Sequence, residues 1–475
     1  SDDRYYYRLS PSLGLNYRSG HWNLFGSYSY FNRTAFSIMD VERFIGQEAY
    51  RQINYSPNDW RIHNYRFGAD FFATKKTTVG LLFRGFARSG DSRANNVTTV
   101  FNRDQTQELG SFTTLNNTES DRSNFLTNLN VKHEFNAQTG HALNFDVDYS
   151  QYDIQNISYL NIFQNEPGSP ESRSEQNVDQ PIRIYVGQVD YTLPLDSTFK
   201  LELGAKSSFA TIDNDLKFLR GTVIDPTQSN DFLYKENINA GYLNLSKKWG
   251  NLDLNGGLRA EQTVVSGKTM DELVLDRNYL QWFPNASALY HVGKHFGIQG
   301  AYSRRVNRPG FQQQNPFAFF IDSLTYTQGN PQLRPEISNN AQVGVTYDGQ
   351  PFFRVSYSKT DDVIIENAPR LEGTRTFTTA ANLAKYENWA FELNFPIKYK
   401  KLIDGYGGNQ FIYNAYDAEY LDTRFNRSRW NWLAYWQINV NLPAEFKVEI
   451  GGWYMTKFLE EFFDIGSMGG LNFGV

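Results

Sequence analysis

The side chains best suited to metal binding or acid-base work stand at spacings that leave them apart. His291 and His295 are four residues apart, the interval that aligns two imidazoles on a helix, but they straddle the turn Gly293–His295 and no HExxH accompanies them. No GxSxG elbow is present, and Asp40 with Glu42, like Asp361 with Asp362, lacks the spacing of a calcium loop. With no cysteine in the chain, disulfide and thiolate chemistry are excluded. These patterns predict a protein that is not an enzyme and carries no cofactor or metal ion. Two charged motifs remain. Arg259 and Glu261, two apart on a strand, share a face, where cross-strand pairing that supports the wall outweighs a role in binding cargo. Arg304 and Arg305 are neighbours, so a strand sends them to opposite faces.

The elements that would carry these residues have a period of two. In residues 141–152, Leu143, Phe145, Val147 and Tyr149 oppose Asn144, Asp146, Asp148 and Ser150. Leu252, Leu254, Leu258 and Ala260 oppose Asp253, Asn255, Arg259 and Glu261. Trp430, Trp432, Trp436, Ile438, Val440 and Leu442 oppose Asn431, Gln437, Asn439 and Asn441. The oily sides are too long and aromatic, and their opposites too charged, for a core shared between two sheets. A wall between lipid and a wet lumen accounts for both.

Composition agrees. Aromatic residues make up 16% of the 475 residues, with 37 Phe and 30 Tyr, yet mean hydropathy is −0.56. Lipid-facing and lumen-facing residues cancel in such an average, and Tyr and Trp gather at the membrane interfaces. Trp22, Trp60, Trp249, Trp282, Trp389, Trp430 and Trp453 fall near predicted strand ends and read as interfacial anchors rather than a sugar-stacking platform. No run of eighteen apolar residues exists, which excludes a transmembrane helix. A net charge of −5 and pI near 5.8 argue against nucleic-acid binding.

The spacing predicts strands over 4–17, 21–31, 60–72, 78–88, 123–135, 141–152, 182–193, 198–211, 236–247, 251–264, 282–292, 296–305, 338–348, 352–365, 375–397, 407–420, 428–442, 445–456 and 468–475. Short turns alternate with long polar connections, notably 32–59, 89–122, 153–181, 212–235, 265–281 and 306–337, and long loops mark the outer face of a membrane barrel. Most prolines fall in connections, Pro57, Pro351 and Pro369 among them, whereas Pro11 and Pro396 fall inside predicted strands and call for bulges or strand ends. The expected fold is therefore all-β, a transmembrane antiparallel up-and-down β-barrel in an outer membrane. Nineteen strands lie in residues 1–475, read as one barrel domain. Parity adds one strand before and two after, which makes about 22 in the full protein.

The segment Tyr302-Ser303-Arg304-Arg305-Val306-Asn307-Arg308-Pro309, then Asn315-Pro316-Phe317 and Gly329-Asn330-Pro331-Gln332-Leu333-Arg334-Pro335-Glu336, resembles a signature of TonB-dependent transporter barrels, most of all the outer-membrane beta-barrel family common in Bacteroidota. Gly257-Leu258-Arg259-Ala260-Glu261 and Asn382-Leu383-Ala384-Lys385-Tyr386-Glu387 are similar to two further strands of that family. The resemblance implies import of a scarce nutrient such as a metal chelate, oligosaccharide or peptide. It also implies an N-terminal plug and a peptide contacting the inner-membrane TonB complex, neither of which is recognisable in residues 1–475. Outer-membrane lipid and lipopolysaccharide are the expected surroundings. The alternative is a non-transporting barrel that docks a surface lipoprotein or secretion machine. Gly329-Asn330-Pro331 with Pro335-Glu336 also reads, from its residue types alone, as a stiff descending loop. In a Bacteroidota lineage, Asp322-Ser323-Leu324 matches a short O-glycosylation acceptor pattern, with Ser323 as the candidate site.

Overall fold

The computed structural model describes residues 8–164, 172–320, 325–372, 375–382, 385–420, 423–443 and 446–475. Nineteen strands form its wall, each antiparallel to the one before. They are β1 (Ser12–Ser19), β2 (Trp22–Ile45), β3 (Glu48–Phe72), β4 (Thr77–Asn102), β5 (Glu108–Asn136), β6 (His141–Gln164), β7 (Ser172–Pro194), β8 (Phe199–Arg220), β9 (Asn230–Trp249) and β10 (Leu252–Thr269). The wall continues through β11 (Glu272–Val292), β12 (Phe296–Asn307), β13 (Glu336–Tyr347), β14 (Gln350–Asp361), β15 (Lys385–Tyr399), β16 (Ile403–Tyr420), β17 (Thr423–Asn441), β18 (Lys447–Met455) and β19 (Met468–Gly474). Among the described residues β1 pairs only with β2, and β19 only with β18. The fold is the expected all-β, up-and-down architecture of an outer-membrane barrel.

Strand length departs from expectation. A spanning strand needs about ten residues, yet β4 runs for 26 and β5 for 29, or roughly 85–95 Å at a strand's rise. Most of 32–59, 89–122, 153–181, 212–235 and 265–281, expected as loops, is paired strand standing clear of the bilayer. Water bathes the outside of these extensions, so the alternation that marks a lipid-facing strand fades there. By contrast β12, β13 and β14 have twelve residues each. The wall is tall on one side and low on the other.

The phase of the alternation also flips. Low on β9, Leu243 and Leu245 are exposed toward lipid, whereas higher up Phe232 and Tyr234, of opposite parity, are buried against the inside of the mouth. Leu203 and Leu216 on β8, and Leu258 and Val265 on β10, repeat the switch. Above the membrane the only dry surface is inside, so apolar side chains turn inward.

The prolines show how the ladders tolerate them. Pro11 separates β1 from the two-residue strand Arg8–Leu9. Pro57 is not in a loop but in β3, where pairing with β4 skips Ser56 and Pro57. Pro396 opposes Tyr406 within β15, and Pro351 lies in β14 beside a register shift at Val345/Thr346. Pro369 belongs to a short strand of the mouth. The predicted strand 375–397 is divided, its first part joining the mouth and its second forming β15.

Two tryptophans are not lipid-facing anchors. Trp60 has the parity opposite to lipid-facing Phe67 and Phe71, and Arg88 lies over its ring at 4.4 Å. Trp453 stands directly opposite lumenal Tyr435 and shares its face. Trp22, Trp249, Trp282, Trp389 and Trp430 are exposed on the lipid side or at its edge.

Val147 lies midway along the lipid-exposed part of β6, while Asp148 beside it accepts a lumenal hydrogen bond from Asn128 at 2.9 Å. Val147→Arg is expected to lower folding stability in lipid vesicles by about 2–4 kcal/mol, and Asp148→Asn by less than about 1 kcal/mol. Urea titration measures both. Equal losses would mean that the two faces have been assigned wrongly.

Candidate functional site

Two segments rise from the low side of the wall and fold across the mouth. Residues 308–335 follow β12 and 362–384 follow β14. Their strands Ala318–Phe320, Thr325–Gln328, Arg375–Asn382 and Ile364–Glu372 form a four-stranded sheet. Within it Thr325–Gln328 runs parallel to Arg375–Asn382, the pairing that joins one segment to the other. The result is a folded lid.

The lid leans on the tall wall through an apolar cluster. Phe311, from the single helical turn Phe311–Gln314, packs with Phe317 and Phe319 against Leu216, Phe232, Tyr234, Val265 and Leu275. The Phe232 and Phe311 rings stack at 5.6 Å, and Phe317 meets Phe232 edge-on at 6.4 Å. Leu333, Ile364 and Ala380 pack within the lid, and Ile365, Ala368 and Ala381 pack against Ala418, Tyr416 and Tyr420 of β16.

Beneath this cluster lies a buried charge web. Arg308 donates from Nη2 to Glu261 Oε2 at 2.5 Å and from Nε to Thr263 Oγ1 at 3.1 Å, and Arg259 donates to the other Glu261 oxygen. The predicted pair Arg259–Glu261 therefore forms, but along one strand rather than across two. Its third member is an arginine of the lid. Arg259 also lies over the Tyr242 ring at 5.1 Å, and Tyr242 occupies the space above Gly204, where a Cβ would sit 2.2 Å from the ring.

The Gly-Asn-Pro segment is spent on holding the lid. Gly329 donates to Asn315 O at 2.9 Å, and a Cβ on Gly329 would sit 2.4 Å from that oxygen. Asn330 donates to Ala380 O at 3.2 Å. Arg277 of β11 donates to the carbonyls of Leu333 and, at 2.9 Å, Pro331. Asn382 receives from Arg334 N at 2.7 Å and returns a bond to Arg334 O at 2.9 Å. Nothing in the sequence pattern singled out Arg277, and Asn382 stood out only as the start of a family-like segment, because their partners are backbone carbonyls and amides.

Glu236 stands on β9 above the membrane belt, beside Tyr234 and Arg308. Burial pushes its carboxyl up, opposed by the Arg308 charge and the Tyr234 hydrogen bond. Burial likewise pushes the Tyr234 hydroxyl up. A carboxyl raised in the folded state contributes stability that is complete below its unfolded value and is lost as pH rises through the folded one. Glu236→Gln is therefore expected to raise the melting temperature at pH 7, with the gain vanishing toward pH 4. A gain of the same size at both pH values would overturn this account.

The other candidates stay apart. His291 pairs with Asp253 at 3.2 Å and His295 with Asp348 at 2.5 Å, each across strands at the inner rim. Asp40 faces Arg51 at 3.7 Å, Glu42 accepts from Gln105, and Asp362 pairs with Arg334. Among the described residues no group of three His, Asp or Glu could hold a metal ion. Arg305 lines a lumenal recess of about 700 Å3 with Asn307, Ser338 and Asn340, while Arg304 points to the other face. Ser323 lies outside the described residues.

A tall antiparallel wall with a lipid-facing belt and a loop-built lid defines an integral outer-membrane barrel. The chain belongs to the outer membrane protein beta-barrel family, whose model matches residues 133–475. No curated protein matches it. Among solved structures it is similar to the siderophore receptor PirA from Pseudomonas aeruginosa, with 14% identity, TM-score 0.54, and coverage of 98% of this chain and 73% of that one. It is also similar to the ferripyoverdine receptor of Pseudomonas aeruginosa bound to ferripyoverdine, with 10% identity, TM-score 0.55, and coverage of 98% and 65%. These likenesses describe the fold.

Proposed function

We propose that the chain is the barrel of a TonB-dependent outer-membrane receptor that imports a scarce nutrient, such as a metal chelate, oligosaccharide or peptide, through the lidded mouth. In this reading residues 1–475 supply one barrel domain set in outer-membrane lipid and lipopolysaccharide, of the type found in Bacteroidota. A plug and a peptide engaging the inner-membrane TonB complex are the further parts. The carrying observation is the lid itself. One segment is tied to the wall by an arginine web and an aromatic cluster, the other by an apolar cluster on β16, and a shared sheet joins the two, an arrangement suited to closing over cargo. The structural neighbours, receptors for siderophores by their titles, support the same reading. Arg259 and Glu261 would position the lid rather than touch cargo.

The test uses the full protein in its own cells. A deletion strain and its complement are grown on iron supplied as chelates, or on carbon supplied as oligosaccharides or peptides. The expected result is a growth defect on one such source, and uptake that stops when the proton gradient is collapsed. Unchanged growth on every source, or uptake indifferent to the gradient, would overturn the proposal.

A further inference from the structure

Two arginines that face the lumen on the lid side of the barrel are neutralised by carboxylates, while Arg305 stands there without a second arginine opposite it. Arg259 pairs with Glu261, and Arg354 with Glu392 directly opposite at 2.5 Å. On β3, β4 and β5 the pattern is reversed. Arg66 stands directly opposite Arg84, and Arg88 directly opposite Arg122. All four have even numbers, whereas the lipid-exposed Phe67, Leu81, Phe83, Phe125 and Leu129 of these strands are odd, so the four guanidiniums face inward. Directly opposed side chains sit about 5 Å apart at Cβ, and like charges there repel. Among the described residues none of the four has a carboxylate partner within ion-pair distance. Asp59, Asp91, Glu119 and Asp121 have odd numbers and face outward, and the inward-facing Asp70, four residues along β3 from Arg66, accepts from Asn23 at 2.9 Å instead.

The surroundings are those of a binding site. Arg66 and Arg84 line a recess of about 500 Å3 with Asn64, Ser27, Ser29 and Tyr152. Two buried polar atoms on the same inward face, Arg88 Nε and Ser120 Oγ, have no hydrogen-bond partner. Trp60 backs the Arg88 guanidinium at 4.4 Å and holds its fork flat. An unfilled arginine fork matches the paired oxygens of a carboxylate or phosphate.

We infer that Arg66, Arg84, Arg88 and Arg122 form an anion-binding strip inside the barrel, which takes a small ligand carrying two or more carboxylate or phosphate groups. The strip runs from the level of the lipid belt into the tall wall, along the path between mouth and lumen. The inference narrows the cargo of the proposed receptor and rests on that reading only for transport. Binding stands without it.

The test is calorimetric titration of the purified full-length protein with citrate and, separately, with inorganic pyrophosphate, at low and high salt. Saturable binding that weakens with salt is expected for at least one of the two probes. Its affinity should fall by roughly tenfold or more in Arg88→Gln/Arg122→Gln and in Arg66→Gln/Arg84→Gln, and not in Lys217→Gln on the tall wall. The Arg→Lys versions should fall between, since they keep the charge and lose the fork. Each Gln pair should melt at the same or a higher temperature, because repulsion has been removed. Failure of both probes to bind overturns the inference, and a lowered melting temperature in the Gln pairs would then assign the arginines to carboxylates of a protein segment. Binding untouched by either Gln pair also overturns it. Intact binding without cellular uptake would instead overturn the transport reading and leave the strip standing.

Discussion

Arg308→Met is expected to release the lid from the barrel while leaving the lipid-belted wall folded. The Arg308 side chain is 18% exposed and that of Glu261 10%. Removing the arginine leaves a nearly buried carboxylate with Arg259 alone, and breaking one side of a buried pair costs about 3–5 kcal/mol. Because Arg308 is the first residue after β12, most of that cost falls on local opening of 309–335 rather than on the whole barrel. Amide exchange there should speed up by roughly a hundredfold or more, with β6 and β7 unchanged. Arg308→Lys should sit between, since an ammonium cannot reach both Glu261 and Thr263 as a planar fork does. Glu261→Gln combined with Arg308→Met should cost less than the sum of the single changes. Additive losses, or exchange unaltered in the lid, would show that the web does not hold it.

The contrast between the web and the belt explains what the sequence disclosed. The belt was legible because Leu143, Phe145 and Val147 on one side, and Asp146 and Asp148 on the other, answer to two solvents, and a one-residue slip would exchange them. The same logic placed Arg259 and Glu261 in the lumen. It did not reach the extensions of β2 to β9, where both sides meet water or a neighbouring loop and the period-two contrast weakens. Proline misled for a related reason. Pro57 looked like a loop marker, yet a strand standing above the bilayer can leave a ladder position unpaired because water is there to replace it.

Parity could have gone further. Phe232 and Tyr234 repeat the alternation of Leu243 and Leu245 in the opposite phase, and a phase change within one strand means that the dry side has changed. That change of phase marks the upper part of β9, expected as a loop, as a strand whose inner face meets an apolar partner. The partner itself was out of reach, since Phe311 and Phe317 lie about 80 residues away in a segment with no periodicity of its own. Arg308 was visible only as part of a family-like motif. Its chemical role depends on Glu261, 47 residues earlier, and on a fold that brings the end of β12 over β10.

Phe232→Ala should be the most damaging single change to the lid's apolar seat. The ring is fully buried at the centre of the cluster and contacts Tyr234, Phe311 and Phe317. Truncation of a buried phenylalanine costs about 3–5 kcal/mol, including the cavity left behind. The wall around it should hold, because the backbone pairing of Phe232 with Thr269 and Asn214 does not involve the ring. The loss should therefore appear as proteolysis and amide exchange in the lid, with little effect from Leu273→Ala, whose side chain is 56% exposed nearby. Gly267 adds a sharper test, since a Cβ there would lie 2.9 Å from the Phe232 ring. Gly267→Ala alone should loosen the seat by crowding it. Combined with Phe232→Ala, the new methyl group enters the vacated space, and the double variant should be more stable than the sum of the two single changes predicts. If the two losses simply add, the ring does not occupy the space above Gly267, and the seat must be built from other contacts.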